Sequence, residues 1–76
     1  MEMNRLNGYF GFEVGLYVNG VYHKGLLCKA LSGFTHDQQM VYSDTVVQLE
    51  PINEYAIYKY IEIEISKIDA ILLLVK

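Results

Sequence analysis

"FEVGLYVNGVYHKGLL", residues 12–27, is the stretch on which the fold turns. Phe12, Val14, Leu16 and Val18 alternate with Glu13, Gly15 and Tyr17, the period of two that a half-buried strand requires. Asn19-Gly20 supplies the two positive-φ residues of a type I′ turn, whose twist matches that of the strands it joins. A two-residue turn also fixes the register: Val18 faces Val21, Tyr17 faces Tyr22 and Leu16 faces His23. The Tyr17 and Tyr22 rings then lie side by side across the strands. Gly25, in the middle of the second strand, marks a place where the strand bends or another backbone comes close.

The same logic extends outward. The second strand continues through "LLCKAL", and "SGFTHD" breaks it. "QQMVYSDTVVQLE" is strand again, with an interruption expected at Ser43-Asp44, and Pro51 and Asn53 mark a turn. In "YAIYKYIEIEI", residues 55–65, Ile57, Ile61, Ile63 and Ile65 alternate with Tyr58, Tyr60, Glu62 and Glu64. Ser66-Lys67 is a very short connection to a last strand over residues 68–75. Upstream, "MEMNRLNG" has the makings of one or two helical turns, with Met3 and Leu6 on one side and Gly8 as the stop. The expectation is a mainly β protein: a five-stranded, strongly bent antiparallel barrel with a short N-terminal helix, forming one domain over residues 1–76.

A chain of 76 residues buries only about 60% of its unfolded surface and is marginal alone. Disulfides, a metal or oligomerisation are the usual remedies. Cys28 is the only cysteine, and His23 and His36 do not fall at a familiar zinc spacing, so no cofactor or metal is expected. That leaves oligomerisation, which 53% hydrophobic content favours. The tail makes the same point. Ala70 to Val75 are six apolar residues in a row, so a strand there is greasy on both faces. Such a strand at a sheet edge aggregates unless something covers it. A second copy of the chain, through the 55–65 and 68–75 strands, is preferred over cover by the chain's own core and helix. "MEMNRLNGYF" lacks the pattern of a signal peptide, no apolar run reaches the ~20 residues of a membrane span, and a lone cysteine suits a reducing compartment; a soluble cytoplasmic protein is expected. The net charge of -3 argues against binding driven by bulk electrostatics to duplex DNA or an anionic membrane.

"LYVNGVYHKGLL", with Asn19, Gly20 and Gly25, resembles the first two strands of the Sm-like proteins (Sm, LSm and bacterial Hfq). "MNRLNG" resembles the end of that family's short helix, and "IEIEISKIDAILLL" its second motif. The resemblance implies a five-stranded bent barrel of the Sm-like, SH3-like kind that assembles into a ring, the fourth strand of one subunit pairing with the fifth of the next. It also implies binding of single-stranded RNA at the pore, by the loop after strand two and the loop between strands four and five. The chain departs from the family in both loops. "SGFTHDQQM" offers His36, Asp37 and Gln38 where the family has aspartate, then asparagine, at a different spacing, and Ser66-Lys67 replaces Arg-Gly or Lys-His.

The candidate nucleic-acid-binding residues are Phe34, His36, Asp37, Gln38, Ser66 and Lys67. Phe34 and His36 have rings that stack on unpaired bases, and Asp37 and Gln38 can hydrogen-bond base edges. Lys67, repeated by symmetry, would make a positive collar on an acidic protein. Against these stand plainer readings: Phe34 tucked into the barrel end, Asp37 and Gln38 shaping a turn, and Lys67 as a solvated loop lysine. The tyrosines read as β-propensity and packing, Glu62 and Glu64 as a solvated face, and Cys28 as a small core residue. No constellation supports catalysis. A protein–protein assembly module with the same barrel and no nucleic-acid role is the alternative, favoured by the acidic charge and the missing Arg-Gly.

Overall fold

The computed structural model describes residues 1–51 and 59–75. Five strands form one antiparallel sheet: β1 (Glu13–Val18), β2 (Val21–Phe34), β3 (Met40–Glu50), β4 (Ile61–Glu64) and β5 (Ile68–Val75), in the order β4-β3-β2-β1-β5. The first turn has the expected chemistry, with φ of 50° at Asn19 and 80° at Gly20. Its register follows: Val18 pairs with Val21, Tyr17 with Tyr22 and Leu16 with His23. The two tyrosine rings meet with centroids 5.1 Å apart. The Tyr22 ring also lies across Gly15, where an added Cβ would stand 2.5 Å from the Tyr22 hydroxyl.

β4 and β5 are the two edges of the sheet, yet only the 3-10 turn Ile65–Lys67 separates them in sequence. Across a flat sheet of this order the edges would be about 19 Å apart. Three residues in a 3-10 turn advance only about 6 Å. The sheet therefore bends until its edges approach each other at this corner. No ladder joins β4 to β5 among the described residues, so the sheet is bent but open.

The concave face carries the core. Val14, Leu16, Leu27, Val47, Leu49, Ile63, Ile65 and Ile68 are buried there in one cluster with Leu6. Leu6 comes from the N-terminal segment, whose helical content is a single turn, of 3-10 type, over Met3–Arg5. The Met1 ammonium donates to the carbonyls of Ile65 and Ile68, both at 3.2 Å, fastening this segment to the corner. Gly25 does what a strand glycine is for: an added Cβ would overlap the backbone carbonyl oxygen of Glu50.

Two strand boundaries differ from expectation, and the expected interruption of β3 takes the form of a local defect. β2 runs on through Ser32-Gly33-Phe34 instead of breaking at Ser32. The interruption at Ser43-Asp44 is a ladder defect inside β3: Lys29 pairs with Val47 but Leu31 with Tyr42, so residues 43–46 bulge out of the ladder with β2. The Ser43 hydroxyl accepts from the amides of Thr45 and Val46 at 3.1 and 3.2 Å, a local turn that competes with the ladder. β4 starts at Ile61, and residues 52–58, including most of the turn after Pro51 and the start of the expected 55–65 strand, lie outside the described residues. Cys28 is half-buried rather than part of the core cluster.

Gly25→Ala is expected to destabilise the protein by about 1–3 kcal/mol, because backbone and not a flexible side chain occupies the space. Gly33→Ala, which meets nothing within 4 Å, should stay within about 0.5 kcal/mol of the parent. Urea titrations of both variants at one protein concentration check the pair.

Candidate functional site

The six sequence candidates fall at two separate places. Phe34 ends β2 and is 65% exposed, so it does not tuck into the end of the sheet. His36, Asp37 and Gln38 follow it in a tight, exposed turn. The Thr35 amide donates to the Gln39 carbonyl at 2.9 Å, the Gln38 amide to the Thr35 carbonyl at 2.9 Å, and the Gln39 amide to the Thr35 hydroxyl at 3.2 Å. Gln38 has φ of 61°, so it shapes the turn through its backbone as well as offering an amide. Ser66 and Lys67 lie exposed in the corner turn between the sheet edges.

One chain does not bring the two sets together. Val46, next to the ladder defect, pairs with Glu64 at the end of β4. From that level to Phe34 the β2–β3 hairpin runs on for four residues, about 13 Å. The 34–38 turn therefore stands well beyond the Ser66-Lys67 corner.

Electrostatics at the corner oppose a positive collar. Lys67 Nζ is 3.7 Å from Glu64 Oε2, three residues before it, with both side chains more than half exposed. Such a pair adds little stability, but it cancels the charge that symmetry was to multiply. Beside it lies an open groove of about 460 Å³, lined by Met3, Val46 and Ile65 and by three acidic residues, Glu2, Asp44 and Glu64, against the single ammonium of Met1. Ser66 lines this acidic groove. Copies of the chain around a symmetry axis repeat these carboxylates as faithfully as they repeat Lys67.

The apolar tail gives a clearer signal. Ile68 is buried, but Leu72, Leu73 and Leu74 are 49%, 41% and 39% exposed. β5 pairs with β1 on one side only, Leu73 opposite Val14 and Leu72 opposite Gly15. Its other side is a free edge among the described residues, as is that of β4.

The sequence reading missed a second feature. Lys29 Nζ stands 5.4 Å from the Phe10 ring centroid and 5.8 Å from that of Tyr42. The interruption expected at Ser43-Asp44 was the available signal, since the bulged residues bring Tyr42 next to Lys29. Among the described residues no group of three His, Cys, Asp or Glu side chains is placed to hold a metal ion, and no helix is long and apolar enough to cross a membrane. No family model, no curated protein and no solved structure matches this chain.

Burial, and then the nearby Glu50 carboxylate, raise the pKa of the Cys28 thiol. The thiol form is favoured and the nucleophilic thiolate suppressed. Alkylation of Cys28 by iodoacetamide at pH 8 should be slower in the folded protein than in urea, and faster in Glu50→Gln than in the parent. Equal rates folded and unfolded would contradict this reading.

Proposed function

We propose that this chain is a non-catalytic assembly module whose two free sheet edges pair between copies, β4 of one with β5 of the next, to close a homo-oligomeric ring. The exposed free edge of β5 carries the reading: Leu72, Leu73 and Leu74 stand in water beside unpaired backbone groups. An apolar edge of this kind templates strand addition, and only a closed arrangement stops the addition from running on as a fibre. The corner turn supports the geometry, since it holds both edges near each other and a ring then meets each neighbour over a short arc. The strand order also leaves outermost the two strands that the Sm-like resemblance requires there. In such a ring the sheet of one copy runs on into that of the next, so that neither β4 nor β5 keeps a free edge.

Single-stranded RNA binding is the second reading. The exposure of Phe34 at the 34–38 turn favours it, with His36 and Gln38 beside it in a form suited to base stacking and hydrogen bonding. It carries less weight because Lys67 is paired with Glu64 and the adjoining groove is acidic. The acidic corner leaves protein–protein assembly as the better supported function.

Native mass spectrometry at micromolar concentration should give a discrete multiple of the 8.8 kDa chain. Leu73→Glu, which sets a charge at the free edge, should lower that mass while circular dichroism stays β-rich. A wild-type monomer sinks the ring. Fluorescence anisotropy with labelled oligo(U) and oligo(A) at two salt concentrations decides the second reading. No binding at low salt is the expected result; micromolar binding that weakens with salt and is lost in Lys67→Ala would reinstate the pore-collar mechanism.

A further inference from the structure

β2 and β3 are much the longest strands, and among the described residues no third strand pairs beside their far halves. β1 pairs with β2 only as far as Leu26, and β4 pairs with β3 only over Val46–Leu49. Residues 31–34 and 40–42 therefore form a two-stranded arm projecting beyond the core. Such a ribbon is marginal in water on its own. Its larger apolar side chains gather on one face, with only Val41, also exposed, on the other. Leu31 pairs with Tyr42 and Phe34 with Met40, and directly opposed residues share a face. Leu31 and Phe34, three residues apart, would ordinarily point to opposite faces. A bulge sets them on one: Leu31 to Gly33 spans three residues of β2 against two of β3. The Tyr42 hydroxyl reaches the Met40 sulfur at 3.6 Å along this face. Leu31, Phe34, Met40 and Tyr42 are 46%, 65%, 58% and 44% exposed, which amounts to roughly 450 Å² of surface, mostly apolar.

The charges on the arm are polar in the geometric sense. Lys29 lies at its base, held over the rings of Phe10 and Tyr42, and Asp37 lies at its tip. Base and tip are about 17 Å apart along the strand.

We infer that the arm docks face to face on the same arm of a second copy, antiparallel about a two-fold axis, with Lys29 of each copy against Asp37 of the other. The two-fold arrangement is the one that pairs base with tip twice and keeps Lys29 from Lys29 and Asp37 from Asp37. It supplies each ribbon with the second layer it lacks, at ordinary sheet-on-sheet spacing. Contact between two such faces, with the flanking Phe10 and Lys29, buries about 1,000 Å², the lower bound of a specific interface. The arm lies apart from the free edges of β4 and β5, so this contact joins copies independently of the ring.

Charge reversal tests it on the full chain, read by native mass spectrometry and by light scattering after gel filtration. Lys29→Glu and Asp37→Lys should each weaken the contact about tenfold or more and halve the assembly mass, with an unchanged circular dichroism spectrum. The double variant Lys29→Glu/Asp37→Lys re-creates both pairs in reverse and should restore the parental mass. Phe34→Ser should halve the mass without rescue. Single reversals that leave the mass unchanged, or a double variant that stays at half mass, overturn the inference; in either case a different partner protein, or none, covers the arm. Leu73→Glu separates this contact from the ring. If the ring is wrong and the arm contact right, the parent and Leu73→Glu are both dimers, and Lys29→Glu is a monomer. If the ring is right and the arm contact wrong, Leu73→Glu lowers the mass and Lys29→Glu does not.

Discussion

A three-residue turn joins the opposite edges of a five-stranded sheet, and most of the structure follows from it. With only Ile65–Lys67 between β4 and β5, the sheet cannot lie flat. Its bending makes the concave face on which Val14, Leu16, Leu27, Val47, Leu49 and Ile63 converge, with Ile65 and Ile68 at the corner itself. Bending also needs relief on the inside of the curve, which Gly25 gives by letting the Glu50 carbonyl into the space of a side chain. The N-terminal segment completes the enclosure by laying Leu6 over the core and donating from Met1 to both ends of the corner turn.

The same constraint leaves surfaces unfinished. A curved sheet of this size encloses a small core. Among the described residues two regions outside it keep large apolar side chains exposed: the end of β5, with its leucines, and the projecting ends of β2 and β3. They differ in kind. β5 offers backbone hydrogen-bonding groups at an edge and so suits strand addition. The arm is already paired along its own ladder and offers a side-chain face, which suits packing against another layer. At the corner itself Lys67 lies 3.7 Å from Glu64, so its charge is partly neutralised within the chain.

The turn at Asn19-Gly20, the alternation in β1 and β4, and the defect at Ser43 were legible in the sequence because each is settled within a few residues. Asn-Gly carries its own dihedral preference, and a serine hydroxyl competes for nearby amides wherever it sits. The reach of β2 to Phe34 was hidden, since Ser32 and Gly33 are loop formers by composition and only pairing with β3 extends them. The candidate site was legible by residue type and illegible by position. His36, Asp37 and Gln38 form an exposed turn, while Phe34 belongs to β2 and stands exposed instead of tucked in, and nothing local tells that the arm carries them some 13 Å past Ser66 and Lys67. Nor does local sequence show that Lys67 faces Glu64, or that Lys29 sits between Phe10 and Tyr42.

The sequence by itself determined the local elements: the middles of the strands, which turn closes the first hairpin and in what register, and that the tail is apolar on both faces. Period-two patterning and turn chemistry are short-range properties, so one strand's residues suffice to read them. Only the tertiary structure decided which strands became edges, how far the sheet bent, and which apolar side chains were left in water. Those outcomes depend on strand order and on the unequal lengths over which neighbours pair. Both arise from contacts between residues far apart in the chain, and no single stretch of sequence encodes them.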